Sequence, residues 1–183
     1  MSEFEMIHLA RSGDQGAWEA LVRAHQEPIF RLAYLLLGDR DEADDVAQET
    51  FIRAARALAA FDTDRPLRPW LLQIAANLAR NRHRTVRRYL HALQQIVRDA
   101  PRMAAPPEPD EASGMLWQAI RRLRRSDQEV IYLRYFLELS EAESAHALAI
   151  APGTVKSRLS RALGRLRELI DHEFPALRAE REV

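Results

Sequence analysis

Apolar residues recur at three- and four-residue steps through most of the chain, the spacing of amphipathic helices. In the first block Gly13-Asp14 punctuates an opening helix, and Ala17, Trp18, Leu21, Val22, Ile29, Phe30, Leu32, Ala33, Leu36 and Leu37 carry the apolar face. Pro28 either kinks this run or starts a new helix. Gly38-Asp39-Arg40-Asp41 ends one helix and caps the next. From Asp41 to Ala59 a helical wheel places Ala43, Val46, Ala47, Thr50, Phe51, Ala54, Ala57 and Leu58 on one side, and Asp45, Gln48, Glu49, Ile52 and Arg56 on the other. An exposed Ile among acids and a Gln suits a protein-contacting face, since solvated faces seldom need a β-branched apolar residue.

The polar loop Phe61-Asp-Thr-Asp-Arg-Pro-Leu-Arg-Pro-Trp70 enters a helix near Pro69. Leu71, Ile74, Ala75 and Leu78 are expected inside, with Trp70, Gln73, Asn77, Arg80, Asn81, Arg84 and Arg88 in one outer sector. At about 1.5 Å per residue this sector spans roughly 27 Å, enough to follow several nucleotides. An aromatic beside amides and arginines can stack on unpaired bases while the cations hold the backbone. The same pattern also fits a core tryptophan with a solubilising basic face. After Tyr89, Leu90, Leu93, Ile96 and Val97 the stretch from Asp99 to Ala112 holds four of the nine prolines, and reads as an extended linker. Helices resume at Ser113, with Leu116, Ile120 and Leu123 in step, and at Ser126, whose Glu129 has capping-box spacing. Val130, Ile131, Leu133, Tyr135 and Phe136 are expected in the core behind them, and Arg121, Arg122, Arg124 and Arg125 suit a helix dipole or phosphate.

Ser140 and Glu143 form a second capping-box signature, the apolar positions after them run out at Leu148, and Pro152 is preset for a new helix's first turn. A short helix, a break of about three residues and a longer helix make a helix-turn-helix. In the longer helix Val155, Leu159, Ala162, Leu163, Leu166, Leu169 and Ile170 form one apolar stripe. Opposite lie Gly153, Ser157, Ser160, Arg161 and Gly164, with Thr154 and Lys156 on the shoulders. Small residues let a helix approach a groove wall, and Arg or Lys meets guanine edges or phosphates, so this face suits the DNA major groove.

These residues carry a resemblance. Gly153-Thr-Val-Lys-Ser-Arg-Leu-Ser-Arg-Ala162 resembles the recognition helix of the minus-35-reading domain of extracytoplasmic-function sigma factors, the small specificity subunits of bacterial RNA polymerase. Ala43 to Leu58 is similar to the helix with which sigma factors grip the clamp helices of the largest polymerase subunit, and Trp70 to Arg84 resembles the helix that reads and melts the minus-10 element. Together the three blocks extend the likeness from about Phe4 to Ile170 in family order. It implies core-polymerase binding by Asp45, Gln48 and Glu49, with Phe51 in the core, and Ile52 joins them as the exposed apolar residue of the same face. Minus-10 contact is implied for Phe61, Arg65, Trp70, Gln73, Asn77, Arg80, Asn81, Arg84 and Arg88, and minus-35 contact for Gly153, Thr154, Lys156, Ser157, Arg158, Ser160 and Arg161. The sequence departs from the family pattern at Leu67, where an aromatic is common, at Pro69 for Thr, at Asn81 for Asp, at Ala149 for Gly and at Ala151 for Pro.

The expected architecture is all-α: a polymerase-binding and minus-10 domain over 1–97, a linker over 98–112, a helix-turn-helix domain over 113–175, and a short polar tail over 176–183 with no further domain. At 183 residues the chain has room for two small domains. Its net charge of zero hides alternation, with net −5 over 1–60, +6 over 61–105, −3 over 106–150 and +2 over 151–183. That suits a protein holding another protein and DNA at once. Neither a signal-peptide layout nor a long apolar run is present, so a cytoplasmic protein without direct membrane insertion is expected. With no cysteine, thiol redox sensing is excluded and any stress sensing must come from a partner, which the resemblance implies is an anti-sigma factor. No phosphate-binding Gly loop or nucleophile motif appears, the six histidines are scattered, and Asp171-His172-Glu173 points its adjacent side chains apart. No catalysis, cofactor, metal or small-molecule substrate is therefore expected. Two other readings are an ordinary helix-turn-helix regulator with a signal-binding or dimerising N-terminal domain, and a helical adaptor that binds only protein; both leave faces without a role.

Overall fold

The computed structural model of the protein describes the backbone of residues 1–94 and 111–174, with side chains over 1–82 and 114–174. The expected linker up to residue 110, the side chains of Arg84 and Arg88, and the tail after 174 lie outside the described residues. Among the described residues all regular structure is helical: α1 (Glu3–Arg11), α2 (Gln15–Leu37), α3 (Arg40–Ala57) with a 3-10 turn at Leu58–Ala60, α4 (Leu67–Gln94), α5 (Glu111–Arg122), α6 (Arg125–Ile131) with a π-turn at Tyr132–Phe136, α7 (Glu141–Leu148) and α8 (Pro152–Glu173). The described residues divide into two compact units, one holding α1 to α4 together with residues 146–149, the other holding α5, α6, α8 and the rest of α7.

In the first unit α2, α3 and α4 pack pairwise and α1 packs on α2. Ser2 and Glu5 close a capping box on α1, while Asp14 caps α2 and Asp39 caps α3. Gly38, at φ 76°, supplies the left-handed residue that ends α2. Pro28 neither breaks nor restarts α2. Its ring removes one backbone bond to the carbonyl of Ala24, an exposed residue where solvent can take that place, while buried Ile29, Leu32 and Ala33 hold the next turn.

The buried stripe of α3 is Ala43, Val46, Thr50 and Ala54, with Leu58 just beyond; Ala47 and Phe51 are half-buried and Ala57 is exposed. Ala57, the last residue of α3 before the 3-10 turn, departs from expectation. α4 begins two residues earlier than expected, and its buried face is Leu67, Leu71, Leu72, Ala75, Ala76 and Ala79, while Ile74 and Leu78 are half-buried. Close helix packing selects small alanines at the contact, whereas a wheel weighted by bulk points to the larger side chains.

In the second unit α6 and α5 pack on α8. Contrary to expectation, Ser126 and Glu129 form no capping box: α6 is capped by Arg124 without a side-chain bond. Glu129 is instead buried and ion-paired with Arg125 at 3.9 Å. Gln128 Nε2 donates to the carbonyls of Arg121 (3.0 Å) and Leu123 (2.8 Å), closing the end of α5. The π-turn shifts the register beyond it, with the Leu137 amide donating to the Tyr132 carbonyl at 3.0 Å, an i to i+5 bond. Tyr132 is therefore the core tyrosine, against Trp117 and Phe136, and Tyr135 is 58% exposed. Burial pushes the Tyr132 hydroxyl up to about 12. Leu116 also departs from its expected core position and is exposed.

The capping box on α7 forms as the sequence requires: the Ser140 amide donates to Glu143 Oε2 at 2.8 Å and the Glu143 amide to Ser140 Oγ at 3.2 Å. The helix ends in a Schellman turn, with the Ile150 amide donating to the Ala145 carbonyl at 3.0 Å and the Ala149 amide to the His146 carbonyl at 3.1 Å. Ala149 holds the left-handed position at φ 55°. A left-handed non-glycine residue costs about 1–2 kcal/mol, and the extra unfolded-state entropy of glycine returns about 0.4–1 kcal/mol of that. Ala149→Gly is therefore expected to raise stability by about 0.5–1 kcal/mol, read as a higher urea midpoint; a lower midpoint would show that the turn is unstrained.

Candidate functional site

Three exposed surfaces carry the candidate residues. On α3, Asp45, Gln48 and Ile52 are exposed, Ile52 at 46%, and Glu49 is half-buried beside them. The acids are not bare. Arg53 Nε pairs with Glu49 Oε1 at 2.7 Å, and Arg82 Nη1, reaching across from α4, lies 3.1 Å from Asp45 Oδ2 and donates to the Glu42 carbonyl at 3.1 Å. A groove between α3 and α4 is lined by Val46, Ile52 and Leu78 with Asn81 and Arg82 at its rim. Sequence reasoning missed Arg82. Its angular place, about 100° from Asn81 around α4, was the available signal that it faces α3 and not the outer sector.

The second surface runs from the loop into α4. Phe61 belongs to the core and offers no face to DNA: it is 7% exposed, with its ring centroid 4.7 Å from that of Trp70. The loop has no buried anchor between Phe61 and Leu67, so both ends tuck inward. Between them Asp62 organises the turn, accepting from the Asp64 amide at 3.1 Å and pairing with Arg65 at 3.1 Å. Trp70 and Gln73 are half-buried, Asn77 and Asn81 are exposed, and Arg80 Nη2 donates to Asn77 Oδ1 at 2.6 Å. The structure thus brings Trp70, Gln73, Asn77, Arg80 and Asn81 onto one side of α4, with Asn81 shared with the groove.

The third surface is the start of α8. Gly153, Lys156, Ser157, Ser160 and Arg161 are exposed, and Thr154 and Arg158 are half-buried. An atom added at Gly153 or Gly164 meets nothing within 4 Å, so both glycines leave room for a close approach. Arg161 Nε donates to the Ser157 carbonyl at 3.1 Å, lying back along the helix. Beneath this face Val155, Ala162 and Leu166 are buried, and Arg165 grips buried Asp127 of α6 with Nε at 2.7 Å and Nη2 at 2.8 Å. That hydrogen-bonded pairing raises the affinity of Arg165 for its proton and ties α8 to α6 in a fixed geometry. The pair spans 38 residues of sequence, and nothing local distinguishes Arg165 from its exposed neighbours.

Among the described residues no helix is long and apolar enough to cross a membrane, and no group of three or more His, Cys, Asp or Glu side chains is placed to hold a metal ion.

The family described as Sigma-70 region 2 matches residues 21–89, and that described as Sigma-70, region 4, matches residues 113–166. An RNA polymerase sigma factor of Alcaligenes xylosoxydans xylosoxydans, NccH, is 36% identical over 169 residues, covering 88% of this chain and 90% of that protein. The ECF RNA polymerase sigma factor SigW of Bacillus subtilis is 36% identical over 174 residues, covering 88% and 93%. Among solved structures, CnrH in complex with the cytosolic domain of CnrY superposes with a TM-score of 0.70 at 28% identity, covering 93% of this chain and 98% of that one. The sigma factor RpoE of Bartonella quintana, in complex with the anti-sigma factor NepR, gives 0.65 at 25% identity, covering 84% and 94%.

Two helical units bearing these two regions define a sigma factor, a transcription initiation factor of bacterial RNA polymerase. The chain belongs to the extracytoplasmic-function sigma factor family and directs transcription initiation as an alternative sigma factor.

Proposed function

We propose that the residues divide this work in three. Asp45, Gln48, Glu49 and Ile52 on α3 hold core polymerase, Ile52 filling an apolar socket while the acids meet basic partners. Trp70, Gln73, Asn77, Arg80 and Asn81, with Arg65, Arg84 and Arg88, take the melted minus-10 strand, and Phe61 acts from beneath by backing Trp70. Gly153, Thr154, Lys156, Ser157, Arg158, Ser160 and Arg161 read the minus-35 element in the major groove. In this reading 1–97 and 113–175 are the two working domains, 98–112 joins them, its last two residues already in α5, and 176–183 is a tail.

The observation that supports it best is the face of α8. From Gly153 to Arg161 its exposed positions are small, hydroxylic or cationic, without an acid or a large apolar side chain, and the Asp127–Arg165 clasp fixes the helix behind them. Such a face can meet base edges and phosphates together. Arg161→Ala is expected to cost about 1–3 kcal/mol and to relax preference at one or two base pairs, whereas Lys156→Ala, losing a phosphate contact, weakens binding evenly and lowers the salt slope by about 1. A base-by-base promoter library checks both variants. Identical sequence preference for wild type and both variants would move minus-35 specificity to other residues.

Each of the two solved relatives is in complex with another protein, CnrH with the cytosolic domain of CnrY and RpoE with the anti-sigma factor NepR. We propose that an anti-sigma factor likewise holds this chain, that the protein works in the cytoplasm where polymerase and promoter DNA meet, and that it carries no catalytic site.

A further inference from the structure

Helix α1 lies outside the matched regions, which begin at residue 21, yet it reaches the candidate minus-10 surface. Arg11, its last residue, directs Nε to the Leu58 carbonyl at 2.9 Å and Nη2 to the Phe61 carbonyl, across separations of 47 and 50 residues. Leu58 opens the 3-10 turn that ends α3, and Phe61 closes that turn and starts the loop. The Leu58 carbonyl already accepts from the Phe61 amide at 3.1 Å, so Arg11 adds a second bond there and takes the Phe61 carbonyl as well, two acceptors that a planar guanidinium can hold as a fork.

The fork anchors the loop that leads into α4. Residues 62–66 are exposed or half-exposed, so the position of this loop is set by its buried ends, Phe61 and Leu67. Leu67 is fixed as the first residue of α4. Phe61 is fixed through its ring against Trp70 and through its carbonyl on Arg11. The helix that carries Arg11 is itself held by buried Ile7, and by His25 of α2, whose Nε2 lies 3.0 Å from Glu3 Oε1.

We infer that Arg11 is a positioning residue for minus-10 recognition: its fork sets the backbone at Phe61, and through it the loop and the Trp70 ring that meet the strand. This rests on the reading that the segment from Arg65 to Arg88 takes the melted minus-10 element. A displacement of the loop changes which base fits more than it changes how much holoenzyme forms, because the acidic face lies on a different part of α3.

The experiment uses holoenzyme reconstituted from the full chain and core polymerase, on a promoter selected by the wild-type holoenzyme and on a set of its single-base minus-10 variants. The readout is the discrimination ratio, transcription from the selected promoter over transcription from each variant. Partial unfolding lowers both quantities together and leaves the ratio alone. Arg11→Gln and Arg11→Lys are both expected to lower the ratio about three- to tenfold, the scale of one net hydrogen bond, because lysine keeps the charge but cannot form the fork. An unchanged ratio in both Arg11 variants, with a reduced ratio in Trp70→Ala, would overturn the inference and leave the minus-10 reading standing. A wild-type ratio in Arg11→Lys alone would also overturn it, assigning Arg11 a charge effect on DNA. An unchanged ratio in Trp70→Ala as well would remove the minus-10 reading on which the inference rests.

Discussion

Reversing Asp45 and Glu49 together, as D45R/E49R, is expected to weaken the binding of core polymerase by about 2–5 kcal/mol, the range for charges desolvated against an oppositely charged partner. Both side chains sit on the outer face of α3 beside exposed Ile52, and both already hold an intramolecular arginine, Arg82 at 3.1 Å and Arg53 at 2.7 Å. Those pairs are largely exposed, so each contributes at most about 1 kcal/mol, and a basic partner that desolvates the acids can outcompete them. Arg82→Gln alone should therefore change core affinity by less than about 1 kcal/mol. Helix content by circular dichroism stays at the wild-type level, because the buried stripe of Ala43, Val46, Thr50 and Ala54 is untouched. Unchanged core affinity in the double variant would exclude this face as the polymerase contact.

Losing Trp70 is expected to weaken promoter opening while sparing the earlier steps. Base–aromatic stacking is worth about 1–3 kcal/mol by alanine substitution, and extruding a base costs a few kcal/mol. Phe61 packs against the indole, with 4.7 Å between ring centroids and 39° between the ring planes, and half-burial leaves part of the ring for an unpaired base. Trp70→Ala should bind core and occupy the minus-35 element near normally, show weak permanganate reactivity at the start region, and recover transcription on a template carrying a pre-melted bubble. Unchanged permanganate footprints, or no recovery on the bubble template, would make Trp70 a packing residue.

Features set by neighbouring residues were legible in the sequence. Ser140 and Glu143 lie one turn apart and cap α7, Pro152 starts α8, and Gly38-Asp39 separates α2 from α3, because each needs only local backbone geometry. At Glu129 the local signal misleads, since burial beside Arg125 outweighs a cap that Ser126 could have shared. Tyr135 falls outside the core because one π-turn advances the register, and the buried face of α4 is rotated because packing there selects alanines over larger side chains. Contacts distant in sequence were invisible: Arg165 with Asp127, Arg82 with Asp45, and Arg11 with Leu58 and Phe61 each join residues more than thirty positions apart. For the surfaces themselves, residue type and helical phase identified Asp45, Gln48, Glu49, Ile52, Asn77, Lys156, Ser157 and Arg161 as outward-facing or nearly so. Phe61 was misassigned because a loop aromatic gives no local sign of which way it turns.

The most direct measurement is run-off transcription with purified core polymerase, with and without this chain, on a library of promoters randomised at the minus-35 and minus-10 elements. Neither component alone should initiate specifically. Together they are expected to give transcripts with a defined start from a subset of templates sharing two sequence elements, one of which shifts in Arg161→Ala and the other in Trp70→Ala. A chain that binds promoter DNA but yields no core-dependent, start-specific transcript would contradict the account.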